Sequence, residues 1–304
     1  MPTQAEKAAQ FLALHQRPEP FVIANPWDAG TARILTGLGF AALSTTSAGL
    51  AFTLGRRDGV AAISRDEALA NARSIVEATP LPVAADLEYG YGHSPEAAAE
   101  TIRLAAETAG LVGGSIEDAT GDPSHPIYDF NHAVERIAAA AIAASALPFP
   151  FMLVARAENY LHCRADLDDT IRRLQAFEAA GAEVLYAPGI ASADDIRTVC
   201  SSVAKPVNVL MGIKGVPPLS VMELGALGVR RISLGSGFSR AALTAVVHAA
   251  REVIEDGTFT FTAETMYMSE LSNLFAPVAP MSANSILEPG VGKQSNEYSK
   301  TGKE

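Results

Sequence analysis

The residues best suited to chemistry in this sequence are acids and arginines that fall at the ends of short β-type runs. Pro82-Val83-Ala84-Ala85-Asp86-Leu87-Glu88 sets two carboxyls at the end of an apolar run, and Gly114-Ser115-Ile116-Glu117-Asp118 sets two more. Phe151-Met152-Leu153-Val154-Ala155-Arg156 ends in a guanidinium, with Glu158 and Asn159 beyond it. Carboxylates gathered in one place repel unless a cation sits among them, and a hard divalent ion takes oxygen ligands while keeping several waters. A Mg²⁺ (or Mn²⁺) near Asp86, Glu88 and Glu117 is therefore expected. Asp118 and Glu158 are equally well explained as partners of rim arginines or as helix caps. Arg156 is placed for a bidentate grip on a carboxylate or phosphonate, although a salt bridge to Glu117 or Glu158 would also account for it. The Ser44–Gly49 segment, with Thr45, Thr46 and Ser47, offers hydroxyls and backbone N–H groups that can cradle carboxylate oxygens. Asn208 lies within another apolar run, 206–210, and either reaches a substrate or satisfies backbone groups.

These positions matter only if the elements beneath them bring them together. Eight β-type runs begin at Phe21, Ala41, Pro82, Gly114, Phe151, Glu183, Pro206 and Arg231, and amphipathic helical stretches separate them. The spacing is ~30 residues, the size of a βα unit. Ser64, Ser94 and Ser192 each precede acidic first turns, as N-caps do. Gly110, Gly181 and Gly228 follow the last helical residues, as left-handed C-caps do. Eight such units are the arithmetic of a (β/α)8 TIM barrel. The rival, an open doubly wound sheet, lacks its glycine-rich first turn, because the first strand ends in Asn25-Pro26-Trp27-Asp28. In a barrel, chemistry sits at the C-terminal ends of the strands, where the acids and Arg156 fall.

Composition narrows the function classes. Among 304 residues, 48% are hydrophobic and 19% charged, which excludes disorder over most of the chain. The net charge of −11 leaves no basic stripe for nucleic acid. Cys163 and Cys200 form neither a disulfide framework nor a zinc spacing, and a cytoplasmic setting is expected. Prolines 148 and 150 split the longest apolar stretch, so no membrane span is expected. The barrel is expected over residues 1–257, an apolar helical appendage over 258–281 and a disordered polar tail over 282–304. Phe259, Phe261, Met266, Tyr267, Met268 and Leu271 give the appendage more apolar surface than a free terminal helix should expose.

The pattern resembles the isocitrate lyase / phosphoenolpyruvate mutase superfamily from about Phe21 to Ser236. The residues that carry the resemblance are Leu54-Gly55-Arg56-Arg57-Asp58, Asp86-Leu87-Glu88-Tyr89-Gly90-Tyr91-Gly92, Ile116-Glu117-Asp118 and Ala155-Arg156. The resemblance implies a (β/α)8 barrel that exchanges a C-terminal helix between neighbours in a homo-oligomer, a dimer or tetramer. It also implies Mg²⁺ and a small 2-oxo or 2-hydroxy carboxylate substrate. By position, Asp86 would be the nearest metal ligand, with Asp58, Glu88 and Glu117 holding metal-bound water. Thr45, Thr46 and Ser47 would bind a substrate carboxylate and Arg156 would grip the substrate.

Two departures narrow this further. The isocitrate and methylisocitrate lyases carry K-[KR]-C-G-H in the loop after the fourth strand. Here that loop reads Ala119-Thr120-Gly121-Asp122-Pro123-Ser124-His125-Pro126-Ile127-Tyr128, without cysteine. The phosphonopyruvate branch uses a lysine and an asparagine there, and this chain has no lysine between Lys7 and Lys205. What remains is a lyase or hydrolase cleaving a C–C bond of an oxaloacetate-like acid, with Arg156, Glu117 and Asp58 in the chemistry. The alternatives are a P–C mutase or hydrolase and a barrel that binds 2-oxo acids without fast turnover. His125 and Tyr128 are candidate proton donors if the loop closes, and His93 could lie near the metal.

Overall fold

The structure, a computed structural model, describes residues 1–214 and 218–275. Eight strands appear where the sequence places them: β1 Phe21–Ile23, β2 Leu43–Ser44, β3 Val83–Asp86, β4 Gly113–Glu117, β5 Met152–Arg156, β6 Val184–Tyr186, β7 Val207–Leu210 and β8 Arg231–Ser233. All neighbours are parallel, in the order β1-β8-β7-β6-β5-β4-β3-β2. A single bridge between Ala24 and Leu43 joins the two ends, so the sheet closes into a (β/α)8 barrel. Asn25 reinforces that seam. Its Nδ2 donates to the carbonyls of Ser44 and Thr45, while its Oδ1 accepts from the amides of Leu234 and Gly235.

The helices are α1 Gln4–His15, α2 Ala29–Gly37, α3 Ser47–Thr53, α4 Arg65–Ala78, α5 Pro95–Glu107, α6 Phe130–Ser145, α7 Leu167–Ala179, α8 Ala193–Ser202, α9 Val221–Ala226, α10 Gly237–Glu255 and α11 Met268–Asn273. The expected caps are present: Ser64, Ser94 and Ser192 each accept from the backbone amide three residues on. Gly110 and Gly181 stop their helices with φ of +73° and +104°, a region costly for any residue with a Cβ. Two helices lie where the sequence reading set none. α1 opens with a Thr3–Glu6 capping box, and α3 begins inside the Ser/Thr segment read as a loop.

Strand alternation divides the core into two. Outward residues such as Leu87, Ile116, Leu153, Leu185 and Ile232 pack under the helices. Inward residues such as Ile23, Ala84, Val154 and Val184 pack with Ala8, Phe11 and Leu14 of α1, which closes the N-terminal end of the barrel. The eighth barrel helix lies where the sequence places it but is far more exposed than the others. In α10 only Ser239 is buried, while Val246 is 63% and Ile254 83% exposed. Among the described residues, Phe238 at its first turn packs on the core, and most of the apolar side chains further along the helix stay exposed. The appendage is a 3₁₀ turn, Thr260–Glu264, followed by α11, and the tail over 282–304 lies outside the described residues. Among the described residues no helix is long and apolar enough to cross a membrane.

Candidate active site

The C-terminal mouth of the barrel gathers the predicted acids around one arginine. Asp86 and Arg156 are the last residues of β3 and β5, and Glu117 is the last of β4, where it sits in register with Arg156. Arg156 Nη1 lies 2.8 Å from Asp86, Nη2 3.2 Å from Glu117 and Nε 2.8 Å from Glu158. Burial alone would pull this guanidinium's pKa down, but Glu158, Glu117 and Asp86 outweigh it and hold the pKa well above the usual value. The Tyr186 ring lies beneath, 5.2 Å from the guanidinium carbon. Tyr186 stands at a strand end in the sequence. The strand-end rule finds it there, but nothing in the sequence says that its ring would lie against a guanidinium.

The Ser/Thr segment serves Asp86 directly. Ser47 Oγ donates to Asp86 Oδ2 at 2.8 Å, with the Ser47 amide at 3.3 Å, and the Asp86 amide donates to Thr45 Oγ1 at 3.0 Å. Thr46 is buried and caps α3 by accepting from the Gly49 amide. Thr45 and Thr46 are thus engaged within the fold, and Ser47 is the member beside the reactive cluster. Asn208 lies deeper in the barrel. Its Nδ2 donates to Ser233 Oγ, and its buried Oδ1 has no partner among the described residues.

The carboxyls crowd one another. Burial, then the charges of Asp86 and Asp58, push Glu88 up to about 8. Burial, followed by Glu158, Asp86 and Glu88, raises Glu117 well above the carboxylate range against the opposing pull of Arg156. Desolvation and Asp86 also raise Asp58, which sits in the loop between α3 and α4. Glu88 is aimed by an unusual backbone, with φ of +47°. The three-carboxylate set expected from the sequence is not assembled. Among the described residues no three His, Cys, Asp or Glu side chains converge as a metal cage. The Arg156 guanidinium instead bridges Asp86 and Glu117. The donor set still fits a hard divalent ion. Asp86, Glu117 and Glu158 contact one guanidinium and Asp58 and Glu88 lie near enough to feel its charge, so carboxyls outnumber the cation, and an ion such as Mg²⁺ needs only one or two direct carboxylates when waters complete its shell.

The remaining rim acid and the loop behave differently. Asp118 is 2% exposed, pairs with Arg173 at 3.0 Å and accepts from the Glu158 amide, so it ties strand ends together. The loop after β4 folds on itself through a bridge between Ala119 and Ile127, and the Tyr128 amide returns to the Asp118 carbonyl. His125 projects into solvent near Asp122. The Tyr128 hydroxyl and His93 Nδ1 share a 2.6 Å hydrogen bond. The His162–Cys163 pair lies in the loop after β5, with Cys163 exposed.

A family model described as phosphoenolpyruvate phosphomutase matches residues 11–254. The chain is 57% identical to a lyase/mutase-type protein of Burkholderia cenocepacia J2315, whose crystal structure superposes with a TM-score of 0.87 over 91% of this chain and 97% of that one. An uncharacterized protein of Mycobacterium tuberculosis (strain ATCC 25618 / H37Rv) is 35% identical over 80% of this chain and 88% of its own length. An oxaloacetate decarboxylase of Bradyrhizobium diazoefficiens is 29% identical, covering 81% of this chain and 84% of that protein.

Proposed function

Because the chain belongs to the phosphoenolpyruvate phosphomutase family, in the superfamily shared with isocitrate lyase, we propose that it is a divalent-metal-dependent lyase cleaving a C–C bond of a small 2-oxo or 2-hydroxy carboxylic acid. An oxaloacetate-like acid is the leading substrate, as in the decarboxylase relative. The observation that carries this reading is the Arg156 guanidinium, fixed at the barrel mouth between Asp86 and Glu117. Mg²⁺ or Mn²⁺, held by Asp86 directly and by Glu88, Glu117 and Asp58 through water, would polarise the 2-oxo group.

The chain's own residues bind and orient. Arg156 presents two N–H groups that can exchange Asp86 and Glu117 for the substrate carboxylate, and Ser47 offers a hydroxyl and an amide beside it. Decarboxylation sends the electron pair of the breaking C–C bond to the 2-oxo oxygen, so it asks for charge stabilisation rather than a dedicated loop acid. A loop without cysteine or lysine is compatible with that chemistry, since solvent or the Tyr128 hydroxyl can return a proton to carbon. The uncovered apolar face of α10 and the Met266–Phe275 segment support a homo-oligomer, dimer or tetramer, that covers them by exchange of C-terminal helices.

Incubation with Mg²⁺ and oxaloacetate, methylisocitrate, isocitrate or phosphonopyruvate tests the reading. Metal-dependent pyruvate release from oxaloacetate is expected. Turnover of phosphonopyruvate alone would favour P–C chemistry, and keto-acid binding without any turnover would favour a binding barrel.

A further inference from the structure

We infer that Arg136 is a positioning residue: from helix α6 it clamps the strained loop that aims Glu88 at the barrel mouth. This rests on the reading of Glu88 as part of a cation site.

The loop after β3 has three residues in the left-handed region: Glu88 at φ +47°, Gly90 at +76° and Tyr91 at +55°. Two of these carry side chains, and such backbone persists only where its surroundings over-determine it. Here every carbonyl but one from residue 88 to 94 is held. The Glu117 amide donates to Glu88, and Thr101 Oγ1 donates to Gly90 at 2.7 Å. Arg136 takes three more: Nη1 donates to Gly92 at 2.7 Å and Ser94 at 3.3 Å, and Nη2 donates to Tyr89. His132, one turn earlier on α6, donates from Nε2 to the His93 carbonyl at 2.8 Å.

Arg136 is 1% exposed and has no carboxylate within ion-pair distance among the described residues. Its charge is met by carbonyl dipoles and by the Tyr128 ring, 4.5 Å from the guanidinium carbon. A buried guanidinium without a counter-ion is costly, and a plain hydrophobe would fill that space at lower cost. What only the planar fork supplies is a simultaneous hold on carbonyls that diverge along a left-handed loop. The clamp also ties the Glu88 loop to the loop after β4, because Tyr128 lies at the entry to α6 and bonds His93.

The test uses the full chain. In Arg136→Met and Arg136→Lys, Mn²⁺ affinity read by calorimetry should fall about 10–100-fold, the range for residues that orient ligands from behind. In the metal-free protein, amide hydrogen exchange should quicken over 87–95 while β5 to β8 keep their protection. His132→Ala, at a half-exposed site, should shift both readouts in the same direction by less, which covers the case in which the Arg136 variants fold poorly. Unchanged affinity and exchange in these variants would overturn the clamp, as would a uniform loss of protection across the barrel. A wild-type protein that binds no Mn²⁺ would sink the cation site, and the exchange pattern over 87–95 would still decide the clamp.

Discussion

The two ends of one barrel bury cations in opposite ways. At the C-terminal mouth, Arg156 sits among Asp86, Glu117 and Glu158, and its charge is reinforced. At the floor, Arg231 is 4% exposed, its Nε and Nη1 have no partner among the described residues, and burial brings its pKa down to about 10. Its neighbours are aromatic, with the Phe11 ring 5.9 Å from the guanidinium carbon. His15, stacked edge-on between Phe11 and Phe21, is driven down to about 3 by burial and by Arg231. The mouth carries surplus negative charge that calls for a cation and a substrate. The floor carries a buried positive charge with no carboxylate in ion-pair contact among the described residues, packed under α1. The difference teaches that burying a charge does not by itself mark a site; the sign and number of its neighbours do.

The sharpest way to break the contrast is Arg156→Met. It leaves three carboxyls without their cation, so stability should fall by about 3–5 kcal/mol. Turnover of the 2-oxo acid should fall by about 10³-fold or more. Urea denaturation and steady-state kinetics read the two effects, and near-normal kinetics would remove Arg156 from the substrate.

His15 comes next. Its pKa is depressed in the fold, so its unfolded form takes up a proton first as pH drops below about 6.5. Stability is therefore full above that value and declines toward the folded value of about 3. His15→Gln should flatten that acid limb in pH-dependent denaturation; an unchanged slope would refute it.

Arg231→Met orphans no carboxylate and should leave stability unchanged or raise it by about 1–2 kcal/mol, with activity intact. A large loss would show that the floor needs its charge.

The smallest effect concerns Glu88, whose carboxyl is raised to about 8 and must lose its proton to face a cation. Divalent-ion affinity should strengthen about tenfold per pH unit, the ratio of a one-proton linkage, and level off above that value. Calorimetry from pH 6 to about 9 checks it, and a flat profile would take Glu88 out of the cation's surroundings. The same raised value means that Glu88 favours the fold below the unfolded carboxylate range and loses that contribution as pH rises through about 8.

Much of this was legible in the residue pattern. All eight strands and the capping serines could be read because strand runs and caps are local signals. The acids and Arg156 could be placed in one mouth because the barrel sends every strand end to the same face. α1 was missed although Thr3 and Glu6 spell a capping box, since its partners at Gly113 and Thr79 are remote in sequence. α3 was missed because Ser47 and its neighbours read equally well as a polar loop. A salt bridge from Arg156 to Glu117 or Glu158 stood in the sequence as one of two readings; that it also takes Asp86 was not legible, because that depends on which rotamers share the space. Arg136 gave no sign at all: in sequence it is one arginine on an alanine-rich helix.

The Asn25 seam has a consequence in time. Its amide group joins β1 and β2 to backbone 209 residues further along the chain. A ribosome must deliver nearly the whole barrel before that bond can form, so the ring closes late and in one step. Until then the acids on β3 and β4 have strands beside them but no enclosing wall. A nascent or truncated chain would carry most of the ligands yet hold no mouth to place them in.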